Sequence, residues 1–367
     1  MITDPTTAAA VNADAGSDPW WRPLIRWEAG LVVVFALVVV YGAVESSVFL
    51  TQNTVFFFGI DIGQVAIMAL PLTLIIMTGE IDLSVAAMLG LSCSLLGYLF
   101  EHGVEIWLAM IICLAVGAVG GALNGALVTR LGLPSIAVTI GTLTMFRGIA
   151  EIILGSSSVT GFPAYLTKIG VSPVTGTKIS YGFAIFIVLA VVYAIVTHAT
   201  PVGRSIYAIG LQEEAAFFSG IRVKRIKFTL YVLSGVVCAF VGILYTFENA
   251  TSRYDAGTGL ELNVVAVVLF GGVSIFGGRG SIGGVVLSVL IVGSLGEILT
   301  QTNVSAEAQN MIIGILLLIS VLVPNGADGL RRIRARARRL RGHPHQPTSG
   351  ATSTARSLPP AGPAPPG

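Results

Sequence analysis

Two adjacent stretches of this chain, Ile62 to Gly79 and Leu83 to Phe100, contain no charged residue, and uncharged apolar runs of similar length recur along most of the sequence. A bilayer core is crossed by a helix of about 20 mostly apolar residues, and a segment in lipid must satisfy its own backbone hydrogen bonds. A soluble helical bundle would need polar faces at helical spacing, which these runs lack. A membrane β-barrel would need strands of roughly ten residues with alternating polarity, also lacking. Only 11% of the residues are charged, against roughly 25% in a soluble domain. The sequence therefore predicts an all-α, polytopic membrane protein.

Reading runs against charges gives ten candidate spans, near 29–48, 60–79, 83–100, 106–129, 134–154, 180–198, 229–247, 262–278, 281–299 and 308–323. The second and third are separated only by Glu80, Ile81 and Asp82 and their neighbours, too short for a helical hairpin. A break or kink is expected there, with Pro71 as a second candidate for the kink. No A-x-A-like cleavage site follows the first apolar run, so that span is expected to remain as an anchor. Counting Lys and Arg with the N-terminus inside places seventeen basic residues on the cytoplasmic side and three outside. Both termini are thus expected in the cytoplasm. The organisation that follows is a disordered tail over 1–28, a transmembrane domain over 29–323 with a long cytoplasmic loop at 200–228, and a tail over 324–367. That last tail begins with the basic run "RRIRARARRLR" and continues Pro/Gly/Ser-rich and mostly disordered. The basic run reads as a solvated anchor beside anionic headgroups, worth about 1 kcal/mol per charge, and not as a nucleic-acid site.

Enzymatic signatures are missing. The chain has no G-x-x-x-x-G-K-[ST] phosphate loop and no H-E-x-x-H, C-x-x-C or G-x-S-x-G. Cys93, Cys113 and Cys238 lie in apolar runs without metal-ligand spacing and read as buried thiols. The stretch Gly278 to Gly283 fits G-x-G-x-x-G, but a dinucleotide site needs a strand before it and a βαβ unit around it. A tight turn between two spans explains these glycines better. No metal, cofactor or catalytic residue is expected.

Candidate residues are the few polar groups at membrane depth. In "TGEIDLSV", Glu80 and Asp82 read as a loop between spans, as a buried proton or ion site, or as part of a solute path together with Ser84. On a helix the two acids would point about 200° apart, which argues against a shared proton. Asp82 and Ser84 also stand where they could cap the following helix. In the fourth span Gly117, Gly121 and Gly125 make a face for close helix packing, and Asn124 beside them reads as a cross-helix hydrogen bond or a polar path residue. Arg147 and Glu151 are four apart in the fifth span, spacing that suits an internal ion pair, with solute contact as the other reading. Within the 200–228 loop, Gln212 to Gly220 reads as a short amphipathic helix. Its first turn is acidic, Gly220 suits its end, and it suits either the membrane surface or a groove on a partner.

That loop, "TPVGRSIYAIGLQEEAAFFSGI", resembles the cytoplasmic segment of bacterial ABC-importer permeases of the ribose/xylose/arabinose/galactose type. The matching positions are Thr200, Gly203, Arg204, Ala208, Gly210, Ala215, Ala216, Ser219, Gly220 and Ile221. Three further blocks, "GEIDLSV", "GALNGALVTRLGLPSIAVTIGTLTMFRGIA" and "LNVVAVVLFGGVSIFGGRGSIGG", follow the family's order between residues 60 and 323. The resemblance implies about ten transmembrane helices in the vitamin-B12-importer-like (type II) arrangement, paired with a second copy or a paralogue. It also implies two cytoplasmic ATPase subunits that bind the ATP and an external binding protein that delivers a pentose, hexose or deoxyhexose. Gly203, Arg204, Glu213, Glu214, Ala215, Ala216, Ser219 and Gly220 would then form the ATPase-coupling loop. The sequence departs from the family at Glu80, where glycine is usual, at Ala86, often glycine, and at Gln212, commonly asparagine; the carboxylate in place of glycine hints at a rhamnose-like subgroup. The competing reading is an ion-coupled secondary transporter using Glu80 and Asp82.

Overall fold

In a computed structural model of the chain, every regular element among the described residues is a helix; extended backbone pairs only in the isolated bridges Val159–Ser252 and Pro173–Ser180. The structure describes residues 22–312, 314, 315 and 318. All belong to the first of two units, 1–321. The expected N-terminal tail falls mostly outside the described residues, as does much of the 308–323 span; the basic C-terminal tail falls wholly outside them.

The helices are α1 (Arg22–Glu45), α2 (Gln52–Met77), α3 (Val85–Glu101), α4 (Ile106–Thr129), α5 (Ser135–Leu154), α6 (Ala164–Gly170), α7 (Tyr181–Ala199), α8 (Pro201–Leu211), α9 (Glu213–Phe218), α10 (Val223–Glu248), α11 (Leu260–Phe270) and α12 (Ile282–Gln301). Among the described residues, seven helices are long and apolar enough to cross a membrane: α1, α2, α4, α5, α7, α10 and α12. The fourth expected span coincides with α4. The eighth, 262–278, does not: α11 stops at Phe270 after 11 residues. At 1.5 Å per residue that is about 17 Å, near half of a bilayer core. Beyond it the glycine-rich stretch folds back on itself, Ser274 N–H donating to the Arg279 carbonyl at 3.0 Å and Gly278 N–H to the Met77 carbonyl at 2.9 Å. Similarly, α3 begins only at Val85 and holds 17 residues, because Thr78 to Ser84 is non-helical. The break lies there, and Pro71 sits inside α2 without ending it.

Burial shows which helix the others surround. Of the membrane-length window of α2, 89% is buried, against 11% for α1, so α2 is central and α1 peripheral. It packs against α7, α10, α11 and α12. The most extensive pairing is α4 with α10, and glycine makes it possible. A Cβ on Gly117 would lie 2.5 Å from the Gly235 carbonyl oxygen, one on Gly121 2.9 Å from Val232 Cα, and one on Gly235 3.0 Å from Gly121 Cα. Backbone thus meets backbone along this seam, as the spacing of small residues led us to expect. Cys93, Cys113 and Cys238 are free and buried.

Candidate functional site

The segment between α2 and α3 is held residue by residue from one face of α10. Lys227, Tyr231 and Ser234 stand at i, i+4 and i+7, a spacing that aligns them along a helix. Lys227 Nζ donates to Glu80 Oε1 at 2.6 Å, Tyr231 hydroxyl to the Ile81 carbonyl at 3.5 Å, and Ser234 hydroxyl to Asp82 Oδ2 at 3.2 Å. From the other side α5 supplies two more bonds: Ile81 N–H donates to Ser135 Oγ at 3.2 Å and Thr139 hydroxyl to the Ile81 carbonyl at 3.3 Å. Three consecutive residues are therefore held from α10, and the middle one, Ile81, is clamped between α10 and α5.

Glu80 and Asp82 share no partner. Asp82 is buried and accepts from the Ser84 N–H at 3.0 Å and the Ser84 hydroxyl at 2.6 Å, while the Asn124 amide donates to Ser84 Oγ at 2.8 Å. Asp82, Ser84, Asn124 and Ser234 thus form one buried polar network linking the break to α4 and α10. The expectation that Asp82 or Ser84 caps α3 needs correction. Ser84 is the N-cap residue but makes no capping bond with its side chain, and Asp82 closes a turn one step earlier by accepting from Ser84. The Asp82 oxygens are occupied before the helix begins, and so do not reach its first free N–H groups.

The expected Arg147–Glu151 ion pair is also absent. Arg147 donates instead to the carbonyls of Ala256 at 2.5 Å, Ala86 at 3.3 Å and Tyr254 at 3.5 Å, and Glu151 is exposed. A planar guanidinium with five donors suits several carbonyls converging from different segments. It ties α5 to the start of α3 and to the non-helical stretch leading into α11. Arg147 lies apart from the Glu80 contacts, so the five residues read as one path fall into three groups.

At the other side of Lys227 stands the α8–α9 segment. Lys227 Nζ donates to Glu213 Oε2 at 2.7 Å as well, so one ammonium bridges Glu80 and Glu213. The Lys227 side chain is 6% exposed, that of Glu80 17% and that of Glu213 55%. A cleft of about 430 Å³ opens beside them, lined by these three together with Lys224 and the α4–α5 turn around Arg130 and Pro134. The last turn of α9 closes in a Schellman pattern: Ile221 N–H donates to the Ala216 carbonyl at 3.1 Å, Gly220 N–H to that of Phe217 at 3.0 Å. Gly220 takes φ +84°, a left-handed conformation that favours glycine. Ala216 packs with Ile209 of α8 and Val223 of α10, and Gly203 is buried against Thr197. The outward side of α9 carries Phe217 and Phe218, 62% and 85% exposed, with Glu214, Ala215 and Ser219 also exposed and Arg204 exposed on α8. Sequence reasoning passed over Lys227, which sat unremarked among Arg222, Lys224 and Arg225. Its one available signal was the i, i+4, i+7 alignment with Tyr231 and Ser234. Among the described residues no group of His, Cys, Asp and Glu is arranged to hold a metal ion.

Compared with known proteins, residues 54–321 match the family described as the branched-chain amino acid transport system permease component. The chain belongs to this family. It is a multi-pass transmembrane permease, in agreement with the importer resemblance of its loop. Similar proteins include the autoinducer 2 import system permease protein LsrD of Escherichia coli K12 and of Shigella flexneri, each 31% identical over 303 residues, covering 81% of this permease and 91% of the relative. LsrD of Salmonella paratyphi A is 30% identical over 311 residues, covering 83% and 92%. No solved structure matches the permease.

Proposed function

We propose that this permease is the translocation subunit of an ATP-binding cassette importer in the bacterial cytoplasmic membrane, with both termini cytoplasmic and about ten spans in the type II arrangement. It pairs with a second copy or a paralogue, receives its solute from an external binding protein, and takes its driving force from two cytoplasmic ATPase subunits that bind the ATP. The cargo is a small neutral solute: a monosaccharide, or the autoinducer 2 for which the relatives are named. The domain division is that read from the sequence, with 29–323 translocating and 200–228 coupling.

The observation that carries this reading is α9. Two adjacent aromatic rings exposed at 62% and 85%, on a short helix anchored from behind by Ala216 and Glu213, are a docking surface awaiting a groove. The ion-coupled alternative needs Glu80 and Asp82 as a joint site, and Glu80 is already neutralised by Lys227.

The test is co-purification of the permease with the ATPase subunit of the importer. Phe217→Asp with Phe218→Asp should leave the amount of folded permease unchanged and abolish capture of the ATPase. Undiminished capture sinks the docking assignment.

A further inference from the structure

The family resemblance gives glycine where this chain has Glu80, so nothing carried over from the family accounts for a carboxylate there, or for its bond to a lysine 147 positions away. The same lysine holds the helix that we read as the docking element. One ammonium therefore joins two elements otherwise separated in sequence, the break at Thr78 to Ser84 and the docking helix α9.

We propose that Lys227 is a positioning residue that transmits displacement of α9 to the break between α2 and α3; this rests on α9 being the ATPase docking helix. The geometry gives three reasons. Lys227 sits in the second turn of α10 with its side chain almost fully buried, so it cannot simply swing into solvent when α9 moves. Its next two neighbours on the same face, Tyr231 and Ser234, hold Ile81 and Asp82, so a shift of α10 pulls on three successive residues at once. The cleft beside Lys227, Glu80 and Glu213 leaves room for the pairs to rearrange without repacking the helices.

Transmission needs two arrangements with different free energies. If docking and closure of the ATPase draw Glu213 away from Lys227, the ammonium loses one of its two anions. In a site this buried an ammonium that loses one of two bonded carboxylates pays for it, so Lys227 follows Glu213 and, already 2.6 Å from Glu80, draws the break with it. That shift alters the register of the break against α10. Glycine at position 80 would leave Lys227 with Glu213 alone and the break without this tether. Glu80 is then a link in coupling rather than a solute ligand.

The experiment uses the permease co-purified with its ATPase in proteoliposomes, carrying Leu83→Cys as a reporter in the break. The native thiols are buried and give little background to maleimide labelling. In the parent, trapping the ATPase with vanadate should change the labelling rate at position 83 by roughly fivefold or more, the lower end of ordinary coupling between sites. With Glu80→Gly, which leaves the Lys227–Glu213 bond to the docking helix in place, the ATPase should still co-purify and hydrolyse ATP, while the vanadate response disappears; Lys227→Arg should preserve the response in part. Glu80→Ala provides the second variant should Glu80→Gly fail to fold, and it should lose the response as well. A vanadate response in Glu80→Gly or Glu80→Ala equal to the parent's overturns the relay and leaves the docking reading standing. Loss of ATPase capture in a folded Glu80→Gly also overturns it, because Glu80 would then support the docking surface itself. A parent that captures no ATPase overturns the docking reading and, with it, the relay.

Discussion

Glycine at position 121 can be tested against glycine at position 148, because the two differ in what a side chain would meet. Both lie inside helices, Gly121 in α4 and Gly148 in α5. Replacing glycine by alanine in a helix interior gains about 0.5–1 kcal/mol from backbone entropy. At Gly148 a Cβ would find nothing within 4 Å, so Gly148→Ala should show that gain undiminished. At Gly121 the Cβ would press on the Tyr231 carbonyl oxygen and lie 2.9 Å from Val232 Cα. Ordinary carbon contacts sit at about 3.5–4.0 Å, so α4 would have to withdraw from α10 by about 1 Å. The obstacles are backbone atoms, and no rotamer change relieves them. Overpacking of this kind costs about 1–3 kcal/mol, which exceeds the entropic gain. Gly121→Ala should therefore be less stable than the parent by about 1 kcal/mol, the middle of a net range of about 0–2.5, and Gly148→Ala slightly more stable. The assay is thermal unfolding of the detergent-solubilised permease followed by intrinsic fluorescence, the two variants run beside the parent. If Gly121→Ala melts at or above Gly148→Ala, the backbone contact between α4 and α10 is not what the geometry says.

Two more outcomes follow from the polar contacts. Asp82→Ala removes the acceptor for Ser84 N–H, Ser84 hydroxyl and Ser234 hydroxyl, and an unsatisfied buried donor costs about 1–3 kcal/mol. The yield of monodisperse permease on size-exclusion should fall, more than for Asp82→Asn, and an unchanged yield would refute the structural role given to Asp82. Arg147→Met releases the carbonyls of Ala86, Tyr254 and Ala256. Limited proteolysis between residues 250 and 259 should become faster, whereas Glu151→Gln should leave it unchanged because Glu151 takes no part in the contact.

Charge-free runs made most spans legible, because lipid leaves a chain few alternatives, and α4 falls where its run of apolar residues says it should. The short helix α9 and its glycine end were legible too, since acidic first turn, apolar middle and Gly220 are all local signals. What was not legible depends on contacts between distant segments. The run 262–278 has span length by hydropathy, but its last part turns back because the Met77 carbonyl accepts from Gly278, a partner that no window of sequence contains. Arg147 and Glu151 have the spacing of an ion pair, yet the guanidinium reaches across to α3 and the 254–256 stretch. Among the cations following α9, charge alone does not distinguish Lys227, buried at 5% exposure, from its exposed neighbours Lys224 and Arg225; only its alignment with Tyr231 and Ser234 does.

The seam between α4 and α10 also limits how this chain can change over generations. Where two side chains touch, a larger residue on one side can be answered by a smaller one opposite. At Gly121 and Gly235 the opposing groups are main-chain atoms, and no residue is smaller than glycine. A substitution there has no second-site suppressor across the interface. Selection for genetic revertants of Gly121 variants should return glycine itself, or changes elsewhere that raise overall stability, and none at the facing positions of α10.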